Sequence, residues 1–147
     1  MQIVKYTSLG NHFVIVDELT EEQVEESHKA EFARSCCDPH FGIGADDVLF
    51  VQQASEPMYD IIEWEGGRQT REYVKQLHRN NVIHAVMRVF EPNGNEAAMC
   101  GNGIRCVASF LMDVHHMDSS VNILAEIPTT RPRMSNPVMV LTHQPSS

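Results

Sequence analysis

The stretch of sequence that decides the fold is EPNGNEAAMCGNGIRC, residues 91–106. It follows residues 83–90, a run rich in branched and aromatic side chains that predicts a strand, and it begins with turn-forming residues. Over residues 101–112 the apolar side chains recur at helical spacing, as Ile104, Val107, Ala108 and Leu111. The stretch therefore predicts a strand, a turn and a buried helix, with Cys100 directly before the helix.

The start of this helix is a candidate site for chemistry. The first N–H groups of a helix lack internal partners and carry the positive end of the helix dipole, so they attract an anion such as a carboxylate. The same field lowers the pKa of a neighbouring thiol, here Cys100. Gly101 and Gly103, on either side of Asn102, let the backbone approach a ligand closely. A carboxylate held beside a reactive thiol favours proton abstraction from the adjacent carbon, as in amino-acid racemisation.

The same residues are compatible with a purely structural role. A cysteine near a helix start is more often a small packed hydrophobic residue than a catalyst. The sequence GNG is not a phosphate-binding loop, because no Lys-Ser or Lys-Thr pair follows its glycines. From the residues alone, Cys100 is either a catalytic thiol or a packed one.

The rest of the chain mixes short strand-like runs with helical segments. Strands are predicted over residues 2–6, 13–16, 48–51, 58–64, 83–90, 121–125 and 138–141. Helices are predicted over residues 20–36, 69–79 and 101–112. The segment between the last two strands holds Pro128, Pro132 and Pro137 and receives no assignment.

Length and composition limit the classes of protein that the chain can be. Its 147 residues suit one domain, and 42% apolar with 21% charged residues is a globular composition. A net charge of −9 argues against nucleic-acid binding, which needs a basic face. No apolar run approaches the roughly 20 residues that span a bilayer, and the first residues do not resemble a secretory signal. We therefore expect a cytoplasmic protein with four reduced cysteines, Cys36, Cys37, Cys100 and Cys106.

Three motifs, in this order along the chain, resemble those of the diaminopimelate epimerase family. SLGNHF at residues 8–13 is similar to the family's GLGNDF, HFGIGADDVLFV at 40–51 to its HxGIGxDG strand entry, and MCGNGIRC at 99–106 to its active-site motif. The resemblance covers most of the chain and implies that residues 1–147 form a single domain like the family's N-terminal half. It also implies an α+β fold in which a mixed, curled sheet surrounds a central helix. The apolar stripe of the helix after Cys100 suits that central place.

The resemblance further implies an activity. The family epimerises LL-diaminopimelate to the meso isomer in lysine biosynthesis, without pyridoxal phosphate, any other cofactor or a metal. One cysteine, as a thiolate, removes the α-proton, and a second, as a thiol, returns a proton to the opposite face. Cys100 matches the cysteine of the first half. Gly101 and Asn102 match residues that hold the substrate, and Asn11 matches a substrate-contacting asparagine.

The chain departs from the family's pattern at several positions. His12 stands where the family has Asp, Asp47 where it has Gly or an amide, and Glu91 where it commonly has a substrate-contacting Asn. We assign no family role to Asp47 or Glu91. The segment 61–85 is longer than the family's connection, and we expect it to be an insertion that carries a helix.

The origin of the second cysteine leaves three interpretations open. In the family it lies in a GCGxG-type motif of the second half, and none of Cys36, Cys37 and Cys106 lies in such a motif. The chain is then an epimerase half that acts with a second half, a non-catalytic domain that binds a carboxylate or an amino acid, or a homodimer in which two copies of Cys100 face each other. Each interpretation has a small amino-acid ligand and no metal, because the histidines show no metal-ligand spacing.

Overall fold

The computed structural model describes residues 3–40, 42–60, 67–97, 101–117, 120–125 and 138–143. The strands are β1 (Ile3–Ser8), β2 (Asn11–Glu18), β3 (Asp47–Gln52), β4 (Ala85–Phe90), β5 (Glu96–Ala97), β6 (Ser120–Ala125) and β7 (Val138–His143). The α-helices are α1 (Lys29–Cys37), α2 (Glu56–Asp60), α3 (Arg68–Arg79) and α4 (Gly101–Asp113), and a 3-10 turn, Glu26–His28, leads into α1. Within these residues, no helix has both the length and the apolar surface needed to cross a membrane.

Strands β1 and β2 form a hairpin closed by Leu9 and Gly10. Both turn residues have a positive φ, 51° and 85°, and the strand pairing ends at Ser8 and Asn11. A two-residue turn with two left-handed residues matches the right-handed twist of the strands that it joins. Gly10 adopts this conformation without strain, which explains the glycine of the SLGN sequence.

The seven strands found among the described residues form one mixed sheet. Its order is β1-β2-β3-β4-β6-β7, and β5 pairs with the end of β4. β2 is parallel to β3 and β4 is parallel to β6, whereas β1–β2, β3–β4 and β6–β7 are antiparallel pairs. Parallel neighbours need crossover connections, and these carry α1 between β2 and β3 and α4 between β4 and β6.

Helix α4 covers one face of this sheet, called the inner face below. The strand residues of its core are Phe13, Ile15, Leu49, Val51, Ala85, Met87, Val89, Val121, Ile123 and Ala125. The helix residues of the same core are Ile104, Cys106, Val107, Ala108, Phe110 and Leu111. The helix also contacts β1 and β7, the two marginal strands. A sheet whose two margins both reach one helix must curl around it, which confirms the predicted α+β fold with a central helix.

The outer face of the sheet is covered by the other three helices. α1 packs over the central strands in a cluster that includes Val14, Val16, Ala33, Val48, Phe50 and Phe90. α2 and α3 pack over β4 and β6 in a second cluster that includes Tyr59, Val74, Val86 and Leu124. Helices on both faces explain why the middle residues of β2, β3 and β4 are continuously buried, and apolar except for Arg88, rather than alternating.

Two buried cations lie on the outer face. Lys29 is fully buried, and its Nζ lies 3.2 Å from Glu18 Oε1. Arg88 donates two hydrogen bonds of 2.8 and 2.7 Å to Glu26 and two of 3.2 and 3.0 Å to Glu96. Each cation therefore has at least one carboxylate partner, and loss of all its partners would leave a buried charge uncompensated, at a cost of about 3–5 kcal/mol.

The prediction of a helix over 20–36 is wrong in its first part. After the 3-10 turn, the α-helix begins only at Lys29. The cause is Glu18, whose Oε2 accepts hydrogen bonds from the backbone N–H groups of Gln23 and Val24 at 2.8 and 3.0 Å. These contacts hold the residues after β2 in a loop and override the helical preference of the local sequence.

The prediction of a strand over 58–64 is wrong for residues 58–60, the part of it that the structure describes. Glu56–Asp60 is helix α2, and residues 61–66 lie outside the described residues. Tyr59 is fully buried in the cluster that α2 and α3 form over β4 and β6, so this side of α2 is covered. The other predicted strands and helices are confirmed and differ only at their ends. Helix α3 lies within segment 61–85, whose assignment as an insertion stays a prediction.

We predict that Leu111→Ala lowers the free energy of unfolding by about 2–5 kcal/mol. Leu111 is fully buried between α4 and the inner face, so the shorter side chain leaves a cavity. Arg105→Ala, at an exposed position of the same helix, is the control and changes stability by less than about 0.5 kcal/mol. Urea denaturation followed by circular dichroism measures both, and equal losses would contradict the central place of α4.

Candidate functional site

Helix α4 begins at Gly101, directly after the predicted catalytic thiol. Cys100 itself lies outside the described residues. Gly101 is exposed and Asn102 is partly buried. Apart from its own helix and its chain neighbours, no described atom lies within 4 Å of a Cβ built on Gly101. The first turn of α4 therefore has room for a ligand, and its N–H groups and dipole attract an anion there.

The start of α4 lies at one end of the sheet, called the site end below. β5 pairs with Val89 and Phe90 at the end of β4, and three residues separate β5 from the helix. Beyond the other end of α4, His115 Nε2 lies 2.8 Å from Asp17 Oδ2, near the end of β2. β2 and β4 run in opposite directions, so these two contacts mark opposite ends of the sheet. The helix therefore runs along the inner face away from the site end.

The site end also holds Asn11, Asp47 and Glu91. β2 and β3 start there, and β4, which is antiparallel to β3, finishes there. Each of the three residues lies two positions from a core residue of the inner face, so strand alternation places all three on that face. The fold thus brings Asn11, which is exposed, to the end of the sheet at which Gly101 and Asn102 begin α4.

The loop of the HFGIGADD motif is fixed against the end of α1. The backbone N–H groups of Ile43 and Gly44 both donate to the carbonyl oxygen of Cys36 at 2.9 Å. A Cβ on Gly42 would lie 1.9 Å from the carbonyl oxygen of Ser35, and Gly44 has a φ of 77°. The two glycines allow this close approach and this left-handed turn, and they set the point at which β3 begins.

Three carboxylates, those of Asp46, Asp47 and Glu91, give the site end a concentration of negative charge. Burial, together with the charges of Glu91 and Asp46, raises the pKa of Asp47 to about 6. A cationic group that approached Asp47 would therefore be stabilised by the charges around it. Because the positive end of α4 lies on the same face, the arrangement suits a zwitterion, with its anionic group at the helix start and its ammonium group at the carboxylates.

The three described cysteines have the environment of packed thiols. Burial and the nearby charge of Asp47 raise the pKa of Cys37 to about 11. Burial also raises the pKa of Cys36. Cys106 is 3% exposed and belongs to the inner core. Cys36 and Cys37 are therefore protonated at neutral pH and unsuited to act as bases.

The histidines that invite a metal interpretation have other contacts. The Tyr59 hydroxyl lies 3.1 Å from His78 Nδ1, and the backbone N–H of Asn122 donates to His84 Nδ1 at 2.9 Å. His115 lies against β2, as given above. In the part of the chain that the structure describes, no three side chains of His, Cys, Asp or Glu gather in a way that could hold a metal ion.

Sequence reasoning missed Asp46. Its Oδ2 accepts a hydrogen bond of 2.7 Å from the backbone N–H of His12, and its own N–H donates to the carbonyl oxygen of His12 at 2.8 Å. The available signal was a pair of aspartates directly before a strand, since short carboxylates at such positions often bind nearby backbone groups.

Comparison with a solved structure defines the class of protein. A phenazine biosynthesis protein of the PhzF family from Enterococcus faecalis matches 92% of this chain and 35% of its own chain, with a TM-score of 0.51 and 13% sequence identity. At this identity the likeness concerns the fold alone. The chain is thus an α+β protein whose mixed sheet curls around a central helix.

Within that class, the chain belongs to the diaminopimelate epimerase family. The family model described as diaminopimelate epimerase matches residues 3–127, which confirms the resemblance of the three motifs. Proteins of that name are 32% identical over 123 residues in Methanococcus aeolicus, 38% over 121 in Methanocella arvoryzae and 35% over 114 in Synechocystis. These matches cover 84%, 80% and 78% of this chain. They cover 34%, 34% and 31% of the relatives, so the chain spans about a third of their length.

We predict that Asp47→Asn becomes more stable than the parent protein as the pH rises from about 4 to about 7. The folded-state pKa of Asp47, about 6, exceeds the unfolded-state value of about 3.9, so over this window the folded state binds more protons and Asp47 destabilises it as it ionises. The gain of the variant is at most about 2 kcal/mol, because water screens this partly exposed group.

Urea denaturation at about pH 4, 5.5 and 7 measures this gain, because these values span the titration of Asp47. Glu31→Gln, at an exposed position on α1, is the control for the replacement of a carboxylate by its amide. A difference between Asp47→Asn and the parent that stays constant with pH would contradict the raised pKa of Asp47.

Proposed function

We propose that the chain supplies one half of the active site of a cofactor-independent amino-acid epimerase, with LL-diaminopimelate as the substrate and Cys100 as the thiolate base. The proposal places the reaction in lysine biosynthesis in the cytoplasm. The observation that carries it is the family match over residues 3–127, which contains the Cys100 motif and the start of α4. Relatives that match most of this chain are named for this epimerase.

The position of Cys100 in the chain supports its role as a base. It directly precedes Gly101, the first residue of α4, where the helix dipole favours a thiolate over a thiol. A substrate carboxylate bound at the same helix start would place the adjacent α-carbon beside the sulfur. The N–H groups that bind the carboxylate also stabilise the negative charge that develops when the α-proton leaves. One helix start thus serves both the base and the substrate.

Asn11, Gly101 and Asn102 are the proposed substrate contacts. Among the described residues, none outside α4 lies close to Gly101, which supports the approach of a ligand to the backbone there. Asn11 and Asn102 have side-chain amides, which can donate to a carboxylate and accept from an ammonium group. The carboxylates of Asp47 and Glu91 on the same face add an attraction for the ammonium group.

A complete epimerase needs a second thiol on the opposite face of the α-carbon. Cys36 and Cys37 pack in the cluster that α1 forms on the outer face. Cys106 is a residue of α4 and packs in the inner core. Cys36 and Cys37 thus lie on the face opposite to Asn11 and the start of α4, and Cys106 is enclosed by the core. We therefore propose that the second thiol comes from a separate second half or from a second copy of the chain, in keeping with the third of the relatives' length that this chain spans.

A non-catalytic binding domain is the alternative function. The open helix start and the nearby carboxylates could hold an amino-acid zwitterion without removing its α-proton. In that case the chain binds its ligand, and the thiol of Cys100 is not needed for binding. Exchange of the α-proton, rather than binding, separates this function from the first.

We predict that the protein exchanges the α-proton of LL-diaminopimelate with solvent and that Cys100→Ala lowers the exchange rate at least about 100-fold. Incubation in D2O with observation of the α-proton NMR signal measures this rate. Cys36→Ala, which removes a half-buried thiol distant from the inner face, is the control and should leave the rate unchanged. Equal rates for the parent and Cys100→Ala would rule out the proposed base.

The products of this incubation distinguish the interpretations. The meso isomer appears only if a second thiol reaches the opposite face, and a rate that rises with the square of the protein concentration identifies a second copy of the chain as its source. Exchange without the meso isomer supports a half-site that lacks its acid. Saturable binding without exchange in the parent supports the binding domain and contradicts the epimerase proposal.

We predict that Gly101→Ala folds as well as the parent but binds diaminopimelate at least about tenfold more weakly. A Cβ at this position meets no described atom beyond its own helix and its neighbours, and alanine favours a helix over glycine by up to about 1 kcal/mol. The added methyl group would instead occupy the space proposed for the substrate. Calorimetric titration and thermal melting measure both effects, and unchanged affinity would remove Gly101 from the site.

A further inference from the structure

We propose that Asp46 is a positioning residue, whose carboxylate holds the start of β2 and thereby fixes Asn11 beside the start of α4. The inference rests on the proposed function, because Asn11 is one of its substrate contacts. The contact of Asp46 with the backbone of His12 is called the Asp46 clamp below.

The Asp46 clamp engages both backbone polar groups of one residue. Asp46 Oδ2 accepts a 2.7 Å hydrogen bond from His12 N–H, and Asp46 N–H donates a 2.8 Å hydrogen bond to the His12 carbonyl oxygen. The two residues are 34 positions apart in the chain, so the clamp is a tertiary contact. A carboxylate that accepts from a backbone N–H forms a shorter and stronger hydrogen bond than a neutral acceptor.

The clamp is needed because the ordinary sheet pairing stops short of His12. Successive residues of a strand direct their N–H and C=O groups to alternate sides, and those of His12 face β3. The pairing between β2 and β3 begins only at Phe13 and Asp47, so His12 lies one position beyond it. Without the Asp46 carboxylate, the N–H group of His12 would be left to water, and only the backbone contact between residues 46 and 12 would remain on the β3 side.

Asp46 is itself held in place by the rest of its loop. Gly42 and Gly44 lie against the end of α1, where Cys36 accepts two backbone hydrogen bonds. Ala45, directly before Asp46, is 4% exposed and packs in the outer-face cluster. The clamp therefore connects a loop fixed on α1 to the strand that carries Asn11. Because the loop is fixed, the clamp holds this strand in one position.

The side chain of His12 makes a second, separable contact. Its Nδ1 lies 3.0 Å from Thr7 Oγ1, on the neighbouring strand β1. This contact holds the imidazole and leaves the backbone N–H and C=O of His12 to Asp46. Thr7→Val removes the ring contact alone, so it is a matched control for variants of Asp46.

Backbone amide exchange measured by NMR tests the clamp without any need for activity. Asp46→Ala should speed the exchange of the His12 amide at least about tenfold, while the amide of Leu49 in the middle of β3 keeps its rate. Asp46→Asn should restore most of the protection, because its amide oxygen can accept from the same N–H group. Thr7→Val should leave the His12 amide within about twofold of the parent. An unchanged His12 rate in Asp46→Ala, or equal acceleration of His12 and Leu49, overturns the proposal.

Substrate kinetics test the consequence for Asn11. In the α-proton exchange assay, Asp46→Ala should raise KM at least about fivefold with a smaller change in kcat, and Asp46→Asn should recover the parent's KM. A normal KM in Asp46→Ala, measured in an active parent, overturns the positioning role. A parent that shows no exchange removes the proposed function instead, and the amide exchange of His12 then decides the clamp by itself.

Discussion

The burial of α4 is the constraint on which the rest of the structure depends. A helix with apolar side chains around much of its surface is stable in water only if other elements cover it on several sides. The sheet meets this requirement by curling until its marginal strands, β1 and β7, both contact the helix. The same burial fixes where the helix begins. The core of the molecule and its candidate site are therefore connected through a single element, with apolar packing along its length and, in its first turn, backbone N–H groups at the positive end of the helix dipole.

The two faces of the sheet are stabilised by different interactions. The core of the inner face is apolar, whereas the outer face buries Lys29 and Arg88 with their carboxylate partners. Such pairs add little net stability, because desolvation offsets the attraction. Arg88 joins Glu26, whose pKa its hydrogen bonds hold below the usual range, to Glu96 of β5. Because β5 leads to the start of α4, this outer-face pair also helps to anchor the site end.

The sequence was sufficient for features that depend on local periodicity and insufficient for those that depend on distant partners. The apolar stripe of α4 and the runs of β2, β3 and β4 could be read directly. The helix expected over 20–36 failed because Glu18 captures backbone N–H groups of that segment. Similarity of motifs gave the predicted site residues, but the position of Asn11 and the start of α4 at one end of the sheet follows from strand order, which periodicity does not state. Asp46 was missed because its partner, His12, lies 34 positions away.

The cover of α4 by strands that precede and follow it in the chain determines how the chain can fold during its synthesis. The β1–β2 hairpin is local, and such hairpins form within microseconds of leaving the ribosome. Helix α4 also needs β7, Val138–His143, which follows it in the chain. Its apolar stripe therefore lacks part of its cover until these residues have been translated. During the interval between α4 and β7, this exposed apolar surface can aggregate or bind chaperones.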